Sequence, residues 1–568
     1  MLDKLPPVWS HRIAQLLRTP PAVEYLLAAR DPRRDQTRRL LALLRANQDT
    51  EFGRAHRFSE IKGFDDLRKN VPLMSAATLR PWVERLQRGD KNLLTAEEPI
   101  FFARSSGTSG APKEIPIHDT YRADFQRSVM VGLWFCFWNT PEAFQHKLLY
   151  LVAPGCLDHT PTGLEIGNIS GYNFNRMPAQ VRAIYAWPYE LVELQDMDTR
   201  TYLSWHIAIQ ERVSLIAGIF PVGVLFLLRG LDTYAAELSH HTAHGTLPDW
   251  LVMTDAQRTF FSRYLVSDAA LSARMAACAA APSDQRVALA LPDLRAIYCW
   301  RASTASLYIP EIEERVGPDV RVLDTIYSAT EGWCSIVLGE QEDGGPIALT
   351  SHVYEFIDEA LVDDTDLKIE ALRDVPTLLV DELEDGKRYY IILTTSAGLY
   401  RYLLGDIVEV CGMWRGLPRL KFVRKYGASY NLTGEKLEES HVTDAVAWAL
   451  AQQGRRAVWF AMMPAFGQEP HYKLYVEFAD DDVDPARLRD FAALVNQHLI
   501  KINVGWEDEI VSKTLGPIDP RQVRPGAYAA QLARWEAQGK PTGQLKATHL
   551  ITDPARLPID PLTDLGGT

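Results

Sequence analysis

Residues 99–118 read PIFFARSSGTSGAPKEIPIH: a β-rich run, a Ser/Gly turn closed by Pro112-Lys113, and a second short run. Two glycines, Gly107 and Gly110, let the backbone turn tightly and aim N–H groups at an anion. The hydroxyls of Ser105, Ser106, Thr108 and Ser109 add donors, and Lys113 adds a compact positive charge. That is the equipment for holding a polyphosphate. A Ser/Gly run is usually a plain turn; the order S-S-G-T-S-G-x-P-K between two strand-like runs favours the phosphate loop. The chain contains no G-x-x-x-x-G-K-[ST] and no G-x-S-x-G, so this is neither a Walker A loop nor a hydrolase elbow.

Outward from the loop, β-rich runs such as KLLYLVA, VSLIAGIF, LRAIYCW, VRVLDTIY and YYIILTT alternate with helical stretches. That alternation predicts an α/β architecture with large mixed sheets. Residues 10–50 have helical periodicity (Ile13, Leu16, Leu17, Leu40, Leu41, Leu44). The C-terminal part reads as a smaller α+β unit: a helix near 438–453, strands AVWFAMM and HYKLYVEFA, a helix near 485–499 and a strand near 510–515. The Gly/Ser/Asn-rich stretch KYGASYNLTGEK (425–436) marks a hinge. The domains expected are therefore 1–430 and 431–568.

Composition narrows the function. Of 568 residues, 47% are hydrophobic and 23% charged, ordinary for a globular chain of more than one domain. Sixty basic against 73 acidic residues leave a net charge of -13, which speaks against nucleic acid as a partner. Cysteines 136, 156, 278, 299, 334 and 411 form no C-x-x-C pair, so neither a disulfide framework nor a structural zinc site is expected, and the cytoplasm is the simplest compartment. The start, MLDKLPPVWSHRIAQLL, is broken by charges and prolines and does not read as a secretory signal. The most apolar run, Val213–Leu228, falls short of the roughly 18 residues of a membrane span and is split by Pro221. It reads as a buried strand, a turn and a helix, so no membrane partner is expected.

Two further segments carry chemistry. Tyr327-Ser328-Ala329-Thr330-Glu331-Gly332 follows the apolar run VRVLDTI, at the strand end where α/β proteins gather ligands. Glu331 is suited to Mg2+ held against phosphates, Thr330 to an α-phosphate, and Tyr327 to packing on a base. Tyr400-Arg401-Tyr402-Leu403-Leu404-Gly405-Asp406 supplies a carboxylate able to accept from both hydroxyls of a ribose, and Arg424 in FVR a cation near the hinge. Singly, Glu331 reads as a solvated loop carboxylate and Gly405-Asp406 as a hairpin turn. The helical run Tyr121–Trp138 carries Phe125, Val129, Leu133, Trp134 and Phe137, a stripe that reads as core before acyl pocket, with Arg122 and Arg127 as surface charge.

Taken together and in order, these three motifs resemble the adenylate-forming superfamily, and more closely the GH3 family of acyl acid amido synthetases. The closer likeness lies in VPLMSAATLRPWVERLQRGD (71–90), ASTASLYIP (302–310), TTSAGLYRYLLGDIVEV (394–410) and KFVRK (421–425), and runs from about residue 35 to GQLKATHL (543–550). The usual superfamily hinge block, R-x-x-D-x-I-K-x-x-G, is replaced by RKYGASYNLTGEK, as in GH3 proteins. The resemblance implies an adenylate-forming fold with a large N-terminal nucleotide- and acyl-acid-binding domain and a mobile C-terminal lid. It implies ATP and Mg2+ as cofactors, with Ser105, Ser106, Thr108, Ser109 and Lys113 on the phosphates, Glu331 on the metal and Asp406 on the ribose. Ser303 and Thr304 would lie near nucleotide and acyl group. Lys546, with Lys540 as its rival, would reach the site on lid closure. The expected activity is ATP-dependent ligation of a small carboxylic acid to an amine, an amino acid in this family, by a chain compatible with a monomer. An acyl-CoA ligase and a non-catalytic nucleotide-binding protein are the alternatives.

Overall fold

The computed structural model describes residues 7–105, 113–301, 308–340, 344–362, 372, 374–425, 429–467, 469–479, 484–528, 530–531, 534, 549–552, 554 and 557–559. They form two compact units, the larger from the chain up to Arg424 and the smaller chiefly from Lys425 onward.

Two helices, Pro7–Ala28 and Pro32–Ala46, open the larger unit. The second starts where Asp31 caps it by accepting from Arg34 N–H, with Pro32 at the first turn, where a missing N–H costs nothing. Three sheets of four or five strands follow. A four-stranded sheet runs in the order Lys113–Ile117, Phe101–Ser105, Glu165–Gly167, Asp158–His159. A parallel sheet has Lys147–Leu151, Val213–Gly218, Ala296–Tyr298 and Arg321–Leu323 side by side. Its central strands are almost wholly buried, as parallel strands covered on both faces must be. The third sheet is antiparallel, in the order Gly345–Pro346, Leu417–Lys425, Leu399–Trp414, Arg388–Thr395, Val353–Asp358. The first of these sheets is itself mixed, with Phe101–Ser105 parallel and Asp158–His159 antiparallel to Glu165–Gly167, as the alternation of elements predicts.

Val213–Leu228 forms the strand, turn and helix expected of it: the strand ends at Gly218 and the helix Pro221–His244 starts on its proline. That helix ends at Gly245, whose φ of +64° suits the left-handed cap. Among the described residues, no helix is long and apolar enough to cross a membrane.

In the smaller unit the helix Glu439–Gln453 precedes the antiparallel pair Ala457–Ala465 and His471–Phe478. The helix Pro485–Ile502 begins on Asp484, which caps the N–H groups of Ala486 and Arg487. The strand expected near 510–515 is not there. Asn503 caps a new helix, Val504–Val511, by accepting from Trp506 N–H, and the strand comes later, at Asp519–Gln522, parallel to His471–Phe478. A local cap outweighed the β-propensity of Ile510 and Val511.

Candidate active site

Tyr327 lies four residues beyond the parallel-sheet strand Arg321–Leu323, and Asp324 organises the connection. Its carboxylate accepts from the backbone N–H groups of Arg301 and Thr325 through Oδ1 and of Gly344 through Oδ2, at 3.0–3.1 Å. Tyr327 N–H donates to the buried Ser335 Oγ at 3.1 Å, and its carbonyl accepts from Cys334 and Ser335 N–H. The Tyr327 backbone is held on both sides.

Ser328–Ala329 and Gly332–Trp333 pair as a minimal antiparallel hairpin with Thr330 and Glu331 at its tip. Neither tip residue has a positive φ, so the turn lacks the primed geometry that matches strand twist, and pairing ends after two rungs. Tyr121, at the start of the helix Asp119–Asn139, donates its hydroxyl to the Thr330 carbonyl at 2.9 Å. The Tyr121 ring stacks on His352, with centroids 5.6 Å apart. Gly332 fits because a Cβ there would stand 2.9 Å from Leu393 and 3.1 Å from the His352 ring.

Asp406 reaches the same region from the long strand Leu399–Trp414. Its neighbour strand pairs Tyr390 with Ile407 and then Ile392 with Leu403, so residues 404–406 form a bulge. Gly405 has φ of +80°, which a side chain would oppose. Gly405-Asp406 is therefore a bulge within one strand and not a hairpin turn, and the bulge aims the Asp406 carboxylate at Tyr327. The Tyr327 hydroxyl donates to Asp406 Oδ2 at 2.7 Å. Four residues earlier, before the bulge, the Tyr402 hydroxyl donates to Glu331 Oε1 at 3.4 Å. Tyr327, Glu331, Tyr402 and Asp406 are all buried.

The electrostatics keep these phenols as donors. Burial, then the Asp406 carboxylate, pushes the Tyr327 hydroxyl well above the ordinary tyrosine range. Burial, then the nearby Glu331, does the same for Tyr121. An open cleft beside them is lined by Trp300, Tyr327, Lys421 and Phe422, with the Tyr327 and Phe422 rings 5.7 Å apart. At that separation the two rings touch each other at a tilt, so together they form one aromatic wall of the cleft.

The long strand is itself held from the N-terminal side. Met74 N–H donates to the Arg401 carbonyl and Leu403 N–H to the Met74 carbonyl, each at 2.9 Å. The stretch 71–90 that carried part of the family likeness therefore braces the strand bearing Tyr402 and Asp406.

The structure thus brings together Tyr327, Thr330, Glu331 and Asp406. Ser105 ends the strand Phe101–Ser105, Lys113 opens Lys113–Ile117, and Arg424 lies in Leu417–Lys425. Ser106, Gly107, Thr108, Ser109, Gly110, Ser303, Thr304, Lys540 and Lys546 lie outside the described residues. Tyr121, Tyr402 and Ser335 hold the site but were given no role from sequence. For Tyr402 a signal exists, an aromatic hydroxyl four residues before Asp406 in Y-x-Y-x-x-G-D. The stripe on Asp119–Asn139 is core-facing: Phe125, Val129 and Trp134 pack against the main core. Arg127 is engaged by Asp124 at 2.7 Å and by the Thr350 carbonyl.

The fold recurs in solved enzymes: a 2-hydroxyisobutyryl-CoA ligase shares it with a TM-score of 0.52 at 14% identity, over 91% of this chain and 89% of that one. Models of the GH3 family N-terminal, central and C-terminal domains match residues 24–322, 345–425 and 440–555, and the chain belongs to the GH3 family. An indole-3-acetic acid-amido synthetase of Arabidopsis thaliana, GH3.3, is 25% identical over 90% of this chain and 88% of its own length. A probable indole-3-acetic acid-amido synthetase of Oryza sativa subsp. japonica, GH3.2, is 23% identical over 91% and 88%. The solved GH3.15 acyl acid amido synthetase superposes with a TM-score of 0.62 at 17% identity, over 96% of both chains.

Proposed function

We propose that this protein is an ATP-dependent acyl acid amido synthetase. It adenylates a small carboxylic acid, releasing pyrophosphate, and transfers the acyl group to an amine, an amino acid being the expected acceptor. The observation that carries the reading is the convergence of Glu331 and Asp406, from a hairpin and a bulged strand, in a chain of this family.

A carboxylate resists nucleophiles because of its charge; linking it to AMP turns it into a mixed anhydride with a good leaving group. The protein's task is to align the acid with the α-phosphorus and to offset charge on the departing oxygens. Asp406 accepts from the ribose hydroxyls, Tyr327 packs on the base, and the Tyr327 hydroxyl orients Asp406. Ser105, Ser106, Gly107, Thr108, Ser109, Gly110 and Lys113 take the phosphates, Thr330 the α-phosphate, and Ser303, Thr304 and Arg424 further nucleotide contacts. Lys546 bridges the carboxylate and α-phosphate when residues 431–568 close as a lid over the domain of residues 1–430.

Glu331 fits magnesium arriving with ATP: the ion takes one or two carboxylates plus phosphate oxygens. Among the described residues no group of three or more His, Cys, Asp or Glu forms a self-sufficient cage. Magnesium held there supplies charge neutralisation on the phosphates. All six cysteines are free thiols, which supports a cytoplasmic setting.

The test is acid-dependent pyrophosphate exchange with ATP, Mg2+ and a panel of aryl and aliphatic acids, followed by mass spectrometry of products with amino acids or with CoA. Amide products are expected. Thioester alone would assign an acyl-CoA ligase, and no exchange with any acid would overturn the adenylation.

A further inference from the structure

The first helix, Pro7–Ala28, is inside out over its N-terminal half. Against the body it buries His11, Gln15 and Arg18. His11 Nε2 meets the His146 carbonyl and Gln15 Nε2 donates to the Trp134 carbonyl, but His11 Nδ1, Gln15 Oε1 and Arg18 Nη1 are buried with no partner. Toward water the same helix presents Trp9 (52% exposed), Ile13, Leu16 (73%), Leu17 (69%), Val23 and Leu27. Burying unpaired polar atoms while exposing large apolar side chains opposes both solvation terms, and a contiguous apolar patch of this kind marks a surface that another surface covers.

The spacing names the kind of cover. Trp9, Ile13, Leu16, Pro20, Val23 and Leu27 recur at alternating intervals of four and three, the seam that receives another helix. Trp138, also exposed, extends the patch: its ring is 6.3 Å from Trp134, which donates to Thr19 on the first helix.

We propose that a second copy of this chain covers this face through a two-fold contact between the first helices. An axis near Leu16–Pro20 sets Trp9 of one copy over Leu27 of the other and Ile13 over Val23, so one stripe complements itself. The stripe exposes on the order of 500 Å2, and pairing two removes about 1,000 Å2, the lower bound for a specific interface. A lipid surface fits less well, because an interfacial helix has a Lys/Arg-rich polar face, whereas of the two arginines in Pro7–Ala28 only Arg12 is exposed, and the net charge of the chain is -13. Most of the stripe precedes residue 24, where the family match begins, and it shares no residue with the Glu331–Asp406 site.

The experiment is sedimentation velocity of the full chain across micromolar concentrations, beside the double variant Leu16→Glu, Leu17→Glu. The expected result is twice the chain mass for the wild type and the single-chain mass for the variant, with an unchanged circular dichroism melt. A wild-type monomer throughout, or a dimer that survives the two glutamates, overturns the proposal. If the double variant does not fold, Val23→Lys with Leu27→Lys replaces it. Co-sedimentation with phosphatidylcholine and phosphatidylglycerol vesicles is the parallel arm; a wild-type monomer that pellets with them assigns the face to lipid and also overturns the dimer.

Discussion

The Tyr327 hydroxyl donates a 2.7 Å hydrogen bond to Asp406 Oδ2, linking residues 79 positions apart. One comes from the end of a parallel sheet and the other from a bulge in an antiparallel one. Because burial and the carboxylate both oppose ionisation of the phenol, the bond runs in one direction only. Tyr327→Phe keeps the ring and removes the donor. A bond to a charged group contributes about 1.5–3 kcal/mol, so the kcat/KM for ATP in pyrophosphate exchange is expected to fall about tenfold or more. An unchanged value would detach Tyr327 from nucleotide binding.

Glu331→Gln preserves the hairpin's shape and removes its charge. Pyrophosphate exchange is expected to fall on the order of a hundredfold, with a higher Mg2+ concentration for half-maximal rate. Tyr402→Phe, which deletes a 3.4 Å bond to Glu331, should cost only a few-fold. Equal losses in the two variants would show that Tyr402 has a role beyond orienting Glu331.

Glu355 sits in a buried network. It accepts from Arg401 Nε at 2.9 Å, Arg68 Nε at 3.2 Å and Thr377 Oγ1 at 2.7 Å. Glu355→Ala strands the buried Arg401 guanidinium and is expected to destabilise the fold by about 3–5 kcal/mol in urea titration. Adding Arg401→Met should recover part of that loss, since the uncompensated charge is then gone.

Four histidines set an acid limit. Burial lowers His352 to about 3 and His11, His118 and His206 to about 4. Each is depressed below its unfolded value of 6.5, so the stability it contributes is present above pH 6.5 and is lost as pH falls toward 4. Each proton taken up on unfolding steepens the fall by about 1.4 kcal/mol per pH unit. His352→Phe keeps the stack on Tyr121 and should reduce the slope between pH 6 and pH 4.5 by one proton's worth.

Glu509, in the smaller unit, has the opposite sign. Its half-buried side chain lies against Gly434 and accepts from Thr514 Oγ1; burial first, and then the Glu435 carboxylate, raise it to about 8 from 4.5. A raised carboxyl adds stability below pH 4.5 that is lost as pH climbs through 8. Above pH 6.5, where the four histidines no longer contribute a slope, Glu509→Gln should flatten the decline in melting temperature up to pH 8. A variant whose melt falls as steeply as the wild type between pH 6.5 and pH 8 would contradict the assignment.

Much was legible locally. The apolar run at 213–228 could only be strand, turn and helix, because Pro221 forbids continuity and suits a helix start. Tyr327, Glu331 and Asp406 are legible as candidates because each lies in a short ordered motif whose residue types match one chemistry, and the fold brings them together. The β-branched residues near 510–515 suggest a strand, but Asn503, an excellent cap outside that window, starts a helix there instead.

Motif order, residue chemistry and the placement of most helices and strands were determined by the sequence alone, since each depends on neighbours within a few residues. Tertiary structure decided that Gly405-Asp406 is a bulge and not a turn, that Tyr121 and Tyr402 hold the Glu331 hairpin, and that the polar side of the first helix faces inward. Those outcomes depend on groups from separate segments sharing one buried, low-dielectric space, where a partner tens or hundreds of residues away sets which geometry has the lower free energy.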